Sequence, residues 1–255
     1  MVIGLTFFSV IVGGYLLQSY AILIFYYVWS QCRVKQWKSQ PLRDATVGII
    51  WAPPLFNRKP LRPSFNASLC TFNLIMAGCF AGFVAEAISR GRSRLVLSAW
   101  STLTPLDWLR IVCVELVLLL AYESLVEYWW HRAMHTDVLY KAMHKLHHVN
   151  KAPEPFDDFM IHPVEAMGYY CILYAPPFIF PTSLQSFVLY MIVCGVCGVA
   201  DHSGVKLKFP GLYDSQDHDL HHSRTNVNYG FPFNYTDKLF GTYSSAANSE
   251  TKASQ

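Results

Sequence analysis

Apolar residues fall in long blocks along the first two thirds of the chain, with polar residues gathered between them. The first block runs from Val2 to about Trp29. It is long enough to cross a hydrocarbon core of roughly 30 Å with some tilt, too long for the core of a signal peptide, and without a basic start. Tyr26, Tyr27 and Trp29 mark an interface at its end. A second block, Leu69 to Ile88, predicts another span. A third, over 105–130, opens at Thr104-Pro-Leu-Asp107, where Thr104 reads as a helix cap with Pro105 in the first turn. Residues 164–200 are apolar again but broken by Pro176, Pro177 and Pro181, and they are too few for two full spans and a turn. They predict a helical hairpin that dips into the bilayer and returns to the same side. From Asp201 to Gln255 the chain is polar and aromatic, with no long apolar run.

Charge between the blocks sets the sidedness. Residues 30–68 mix seven cations (Arg33, Lys35, Lys38, Arg43, Arg58, Lys59, Arg62) with five prolines, which predicts a cytosolic interfacial loop. Arg90, Arg92 and Arg94 then fall on the opposite side, against the rule, but the larger loop outweighs them. Composition agrees with a membrane protein. Charged residues are 15% of the chain and AVILMFWYC 53%, against roughly 25% charged in a soluble domain. The formal charge of +3 comes without a basic block, which gives no support to nucleic-acid binding. Seven cysteines, mostly in apolar stretches, are not a disulfide framework. Cys194 and Cys197 have redox or zinc spacing, yet their apolar, glycine-rich surroundings favour packing.

The ten histidines all lie between His131 and His222. They form three boxes: His131 with His135; His144 with His147 and His148; His218 with His221 and His222. On a helix, residues three or four apart share a face, so each box should present its imidazoles in one direction. Eight nitrogens exceed what one metal uses, which predicts two metals. His162 and His202 raise the count to ten, although His162 also reads as a helix-start residue and His202 as a turn residue. Imidazole alone does not choose among iron, copper, zinc and nickel. Glu123, Glu127, Asp201, Asp217 and Asp219 are candidates to accept the outer N–H of ligating histidines. Asn228 reads equally as a cap on the site or a turn residue.

In this order the motifs resemble the fatty acid hydroxylase/sterol desaturase superfamily. Carrying the likeness are His131-x3-His135 within Tyr128-Trp-Trp-His-Arg, His144-Lys-x-His147-His148, His162-Pro-x-Glu165, His202-Ser-Gly204, His218-Asp-x-His221-His222, Asn228-Tyr-Gly230 and the closing Asp237-Lys-Leu-Phe-Gly-Thr242. It covers about residues 105–243, expected to be the catalytic domain, after membrane spans and basic loop over 1–104 and before a polar tail over 244–255.

The resemblance implies an all-α membrane protein of about four transmembrane helices, spans plus the helical hairpin, in the endoplasmic reticulum. A cytosolic helical cap would carry two iron ions on His131, His135, His144, His147, His148, His162, His202, His218, His221 and His222. It implies hydroxylation or desaturation of an unactivated C–H bond of a sterol or other lipid, using dioxygen. The chain has no Gly-rich dinucleotide fingerprint, so electrons would come from NAD(P)H through a cytochrome b5-type donor and its reductase. Aromatic residues in 156–180 and 229–235 read as pocket walls or as interfacial packing. From another class, a divalent-metal transporter would hold its ligands near the midplane in repeated halves. No repeat is present here, and the boxes follow the spans.

Overall fold

The computed structural model describes residues 63–245, apart from 150, 152, 154 and 203–206, together with three isolated helical positions, Thr6, Ser9 and Gly13. The expected first span and most of the basic loop lie outside the described residues.

The described part is mostly helical. Helix α1, Pro63–Ser89, matches the second apolar block. Helix α2, Pro105–Arg110, starts as the sequence predicts: Thr104 and Asp107 form a reciprocal capping box with Pro105 in the first turn. A π-turn, Ile111–Glu115, joins α2 to α3, Leu116–Met134, in one continuous helical rod. After the short α4, Asp137–Ala142, come two 3₁₀ segments, His144–Val149 and Pro155–Phe159. The predicted hairpin is present as α5, Pro163–Tyr174, and α7, Leu184–Asp201. Its turn holds α6, Pro176–Ile179, where the prolines stop the longer helix. Helices α8, Ser215–Arg224, and α9, Tyr235–Phe240, complete the described chain. Two residues each make up β1, Leu95–Val96, and β2, Thr182–Ser183, which pair in parallel; β3, Lys208–Phe209, and β4, Tyr213–Asp214, form a small hairpin.

Two of these helices are long and apolar enough to cross a membrane, Ser68–Ser89 and Leu184–Asp201. The α2–α3 rod covers the third predicted block, but Glu123, Glu127 and Arg132 punctuate it. Phe83 and Leu118 are both more than half exposed, as apolar side chains facing lipid are.

Helices α1, α3, α5 and α7 close around one core, with Ala81, Leu119, Tyr170, Phe187 and Tyr190 in a contiguous buried cluster. Polar bonds fix the helix ends. Fully buried Asn73 donates from Nδ2 to the carbonyls of Phe159 and Ile161, both at 2.8 Å, and its backbone carbonyl accepts from the Tyr170 hydroxyl at 3.0 Å. Glu115, a carboxylate of the predicted third span, finds its partners away from the histidines. Its Oε2 accepts from the backbone N–H and hydroxyl of Ser183 and from the hydroxyl of Ser186, at 2.5–2.9 Å, across the start of α7. Packing of α7 against α3, with α8 following from its end, brings the last histidine box over the first two.

Candidate metal centre

Nine of the ten histidines converge in two groups. Five (His131, His135, His144, His148, His221) and four (His147, His202, His218, His222) each place their ligand atoms within 4.8 Å of one another. The groups abut, the rings of His148 and His222 lying 4.7 Å apart.

The expectation that each box points one way is corrected by this arrangement. The i,i+4 pairs stay together: His131 with His135, His144 with His148, His218 with His222. The third member of a box crosses over. His147 leaves the second box for the four-histidine group, and His221 leaves the third for the five-histidine group. On a helix surface the i+3 and i+4 positions diverge by a full residue rotation, enough to feed two centres from one segment. His202, at the C-terminal cap of α7, joins the second group.

His162 stands outside both groups, which bring together nine of the ten expected ligands. It is the N-cap of α5, and its Nδ1 accepts the amide of Val164 at 3.2 Å. A residue preceding Pro163 is held in extended backbone, which suits a cap.

Outer nitrogens fix the tautomers. Nδ1 of His131 donates to the Tyr229 carbonyl at 2.9 Å, that of His221 to the Val227 carbonyl at 2.7 Å, and that of His202 to the Gly198 carbonyl at 2.9 Å. His144 Nδ1 meets the Glu165 carboxylate at 2.5 Å. With Nδ1 carrying the proton, each Nε2 presents a lone pair inward. Inward Nε2 atoms approach at 3.0 Å (His144 to His148), 3.2 Å (His148 to His221), 3.1 Å (His202 to His218, and His218 to His222) and 3.3 Å (His147 to His202). Metal–imidazole bonds of about 2.1 Å put neighbouring nitrogens about 3.0 Å apart at right angles and about 3.4 Å at tetrahedral angles. These are spacings of ligands around a cation. Burial, reinforced by neighbouring imidazoles, holds His144, His147, His218, His221 and His222 well below the ordinary histidine range, and pushes His148 down to about 3 and His135 to about 2. Neutral imidazole is the form that binds metal. The residues fit a pair of metal ions.

Of the predicted carboxylate partners, Glu123, Asp201 and Asp217 are bonded away from the histidines. Glu123 and Glu127 sit one turn apart in α3, and Glu123 accepts from the Tyr190 hydroxyl. Asp201 accepts from Tyr213 Oη at 2.6 Å, and Asp217, whose carboxyl burial pushes up to about 6, from Asn234 Nδ2 at 2.8 Å. Asp219 is buried in α8. Asn228 is a turn residue with φ 55°, tied to the carbonyls of Asp217 and Ser244. Glu165 and three backbone carbonyls take the role instead. Glu165 sits in the His162-Pro-x-Glu165 motif, where three-residue spacing was its only mark; the carbonyls have no side-chain signature at all. Cys194 and Cys197 are free and buried in the core, as packing residues.

A cavity of about 750 Å³ opens onto the centre. Its walls are mainly apolar side chains of α1, α5 and α7, with Phe159, Tyr169, Tyr170, Tyr174 and Phe231 among the aromatic ones. Three of the four second-group histidines (His147, His202, His218) line it, against only His131 of the first group.

The fatty acid hydroxylase family profile matches residues 116–242. A Delta(7)-sterol 5(6)-desaturase of Gibberella zeae is 35% identical over 127 residues, 49% of this chain and 36% of that protein. Mouse lathosterol oxidase is 28% identical over 152 residues, 58% of this chain and 50% of its own. A Delta(7)-sterol 5(6)-desaturase of Aspergillus fumigatus is 27% identical over 191 residues, 74% of this chain and 55% of its own. The matches thus span about a third to about half of the length of these relatives. No solved structure matches the chain. With the histidine boxes in the matched segment, the chain belongs to the fatty acid hydroxylase/sterol desaturase superfamily.

Proposed function

We propose that this chain is a membrane-bound di-iron oxidoreductase that oxidises an unactivated C–H bond of a sterol or other lipid. The observation that carries the reading is the convergence of two groups of inward Nε2 atoms at the end of one large apolar cavity. His131, His135, His144, His148 and His221 would hold one iron, and His147, His202, His218 and His222 the other. Bound there, the irons supply the dioxygen and electron chemistry.

The chain's own residues bind, orient and exclude. The apolar walls take up the lipid body and keep water out. The four-histidine group, which has fewer protein donors and faces the cavity more fully, leaves room for dioxygen beside the substrate. Glu165 and the carbonyls of Tyr229, Val227 and Gly198 hold the rings in orientation.

In this reading residues 105–243 are the catalytic domain, and about four helices anchor it, with the centre facing the cytosol from the endoplasmic reticulum membrane. Electrons come from NAD(P)H through a cytochrome b5-type carrier and its reductase. The relatives described as sterol desaturases favour removal of two hydrogens over insertion of a hydroxyl. Neither those relatives nor the enclosed grouping of the imidazoles favours a metal transporter.

Sterol and lipid profiles of cells expressing wild type against His147→Ala test the proposal. A wild-type product lacking two hydrogens supports desaturation, and one gaining an oxygen supports hydroxylation. No difference in any lipid overturns the reading.

A further inference from the structure

Four carboxyl side chains line the cavity: Glu123, Glu127, Asp158 and Asp201. Two are engaged at its edges. Asp201 takes the Tyr213 hydroxyl at 2.6 Å, and Asp158 lies 3.5 Å from Nδ1 of His202. Glu123 and Glu127 are placed differently. They lie one turn apart in α3, 2% and 7% exposed, and share the cavity lining with apolar Phe187, Val188 and Met191. On one helix face, the two carboxyl groups are neighbours on that wall. Glu123 accepts from the Tyr190 hydroxyl, whereas no hydrogen-bond donor meets Glu127 among the described residues. One turn further along, the Nε2 of His131, a residue 4% exposed, lines the same cavity without a hydrogen-bond partner. A buried carboxyl with spare lone pairs on an apolar wall is costly unless a donor completes it. The donor consistent with an apolar cavity of this volume is one carried by the molecule that fills it.

We propose that the Glu123–Glu127 pair is the polar anchor of the cavity, receiving the hydroxyl of a lipid alcohol and so setting which carbon lies at the histidine centre. This rests on the reading of the cavity as a site of lipid oxidation. Glu127 and Glu123 precede His131 by four and eight residues, about 6 and 12 Å along the helix at 1.5 Å per residue. An anchored hydroxyl therefore keeps the oxidised carbon within about 12 Å of its own oxygen. Oxidation falls near the hydroxyl-bearing end of the lipid and not at the far end of its tail.

Direct binding to the purified full chain tests this, with two probe pairs: lathosterol against its 3-O-methyl ether, and octadecan-1-ol against its methyl ether. Each ether keeps the apolar body and loses only the donor. Wild type should bind at least one alcohol about tenfold more tightly than its ether, the worth of a buried hydrogen bond to a carboxyl. Glu127→Leu should bring that ratio to within about twofold without weakening ether binding. Glu127→Gln, which keeps the side chain's size, should reduce it less, with metal content at the wild-type level as the check on folding. Preference confined to octadecan-1-ol upholds the anchor and sinks the sterol reading alone. Equal binding of alcohol and ether by wild type, or no binding of either pair, overturns the anchor. So does a preference that survives in both variants, or octadecylamine binding more tightly than the alcohol.

Discussion

His144 and Glu165 meet at 2.5 Å between Nδ1 and Oε1, both fully buried, and join the second histidine box to the start of the α5–α7 hairpin. The carboxylate fixes the His144 tautomer and turns Nε2 toward His148. Glu165→Ala removes that hold and leaves an imidazole N–H buried without a partner. Metal affinity of the five-histidine group should fall by about 10–100-fold, while the four-histidine group keeps its own. Metal retained per chain under a graded chelator series checks this, with one ion lost well before the other.

Asp237 organises the segment that supplies two of the outer carbonyls. It accepts from the backbone N–H of Tyr229 at 2.8 Å, that of Gly230 at 2.7 Å and the Thr242 hydroxyl at 2.7 Å. Asp237→Ala orphans two amides and loosens the Tyr229 carbonyl from His131. The loss should be about 3 kcal/mol of stability, read by denaturation in detergent, accompanied by weaker metal retention.

Two glycines on the hairpin make opposite predictions. A Cβ at Gly168 would lie 2.2 Å from Cζ2 of Trp130, the neighbour of His131, whereas one at Gly195 meets nothing within 4 Å. Gly168→Ala should therefore cost about 1–3 kcal/mol by overpacking. Gly195→Ala, in a helix interior, should be neutral or stabilising by up to about 1 kcal/mol. Thermal unfolding of the pair decides it.

Much of this architecture is legible in the chain. Apolar length marks α1 and the α7 arm, prolines mark the break between the arms, and Thr104 with Asp107 marks the start of the α3 rod. Histidine spacing gives two centres, because eight imidazoles exceed one coordination sphere. What spacing does not give is the division between them. His147 and His148 are adjacent in sequence yet serve different groups, and only the packing of α8 over the 144–149 turn separates them. Outer partners are equally hidden, because a backbone carbonyl such as that of Tyr229 belongs to any residue. Glu123 and Glu127 have the right helical phase for His131, but Tyr190 on α7 draws Glu123 away, a contact set by the tertiary fold.

Metal stoichiometry tests the account most directly. Purified wild type, loaded with ferrous iron and desalted, should retain two irons per chain. His147→Ala and His221→Ala, which each remove one ligand from a different group, should each lose close to one, and His162→Ala none. A wild-type content of one or zero, or an equal loss in His162→Ala, would contradict two centres built from these nine histidines.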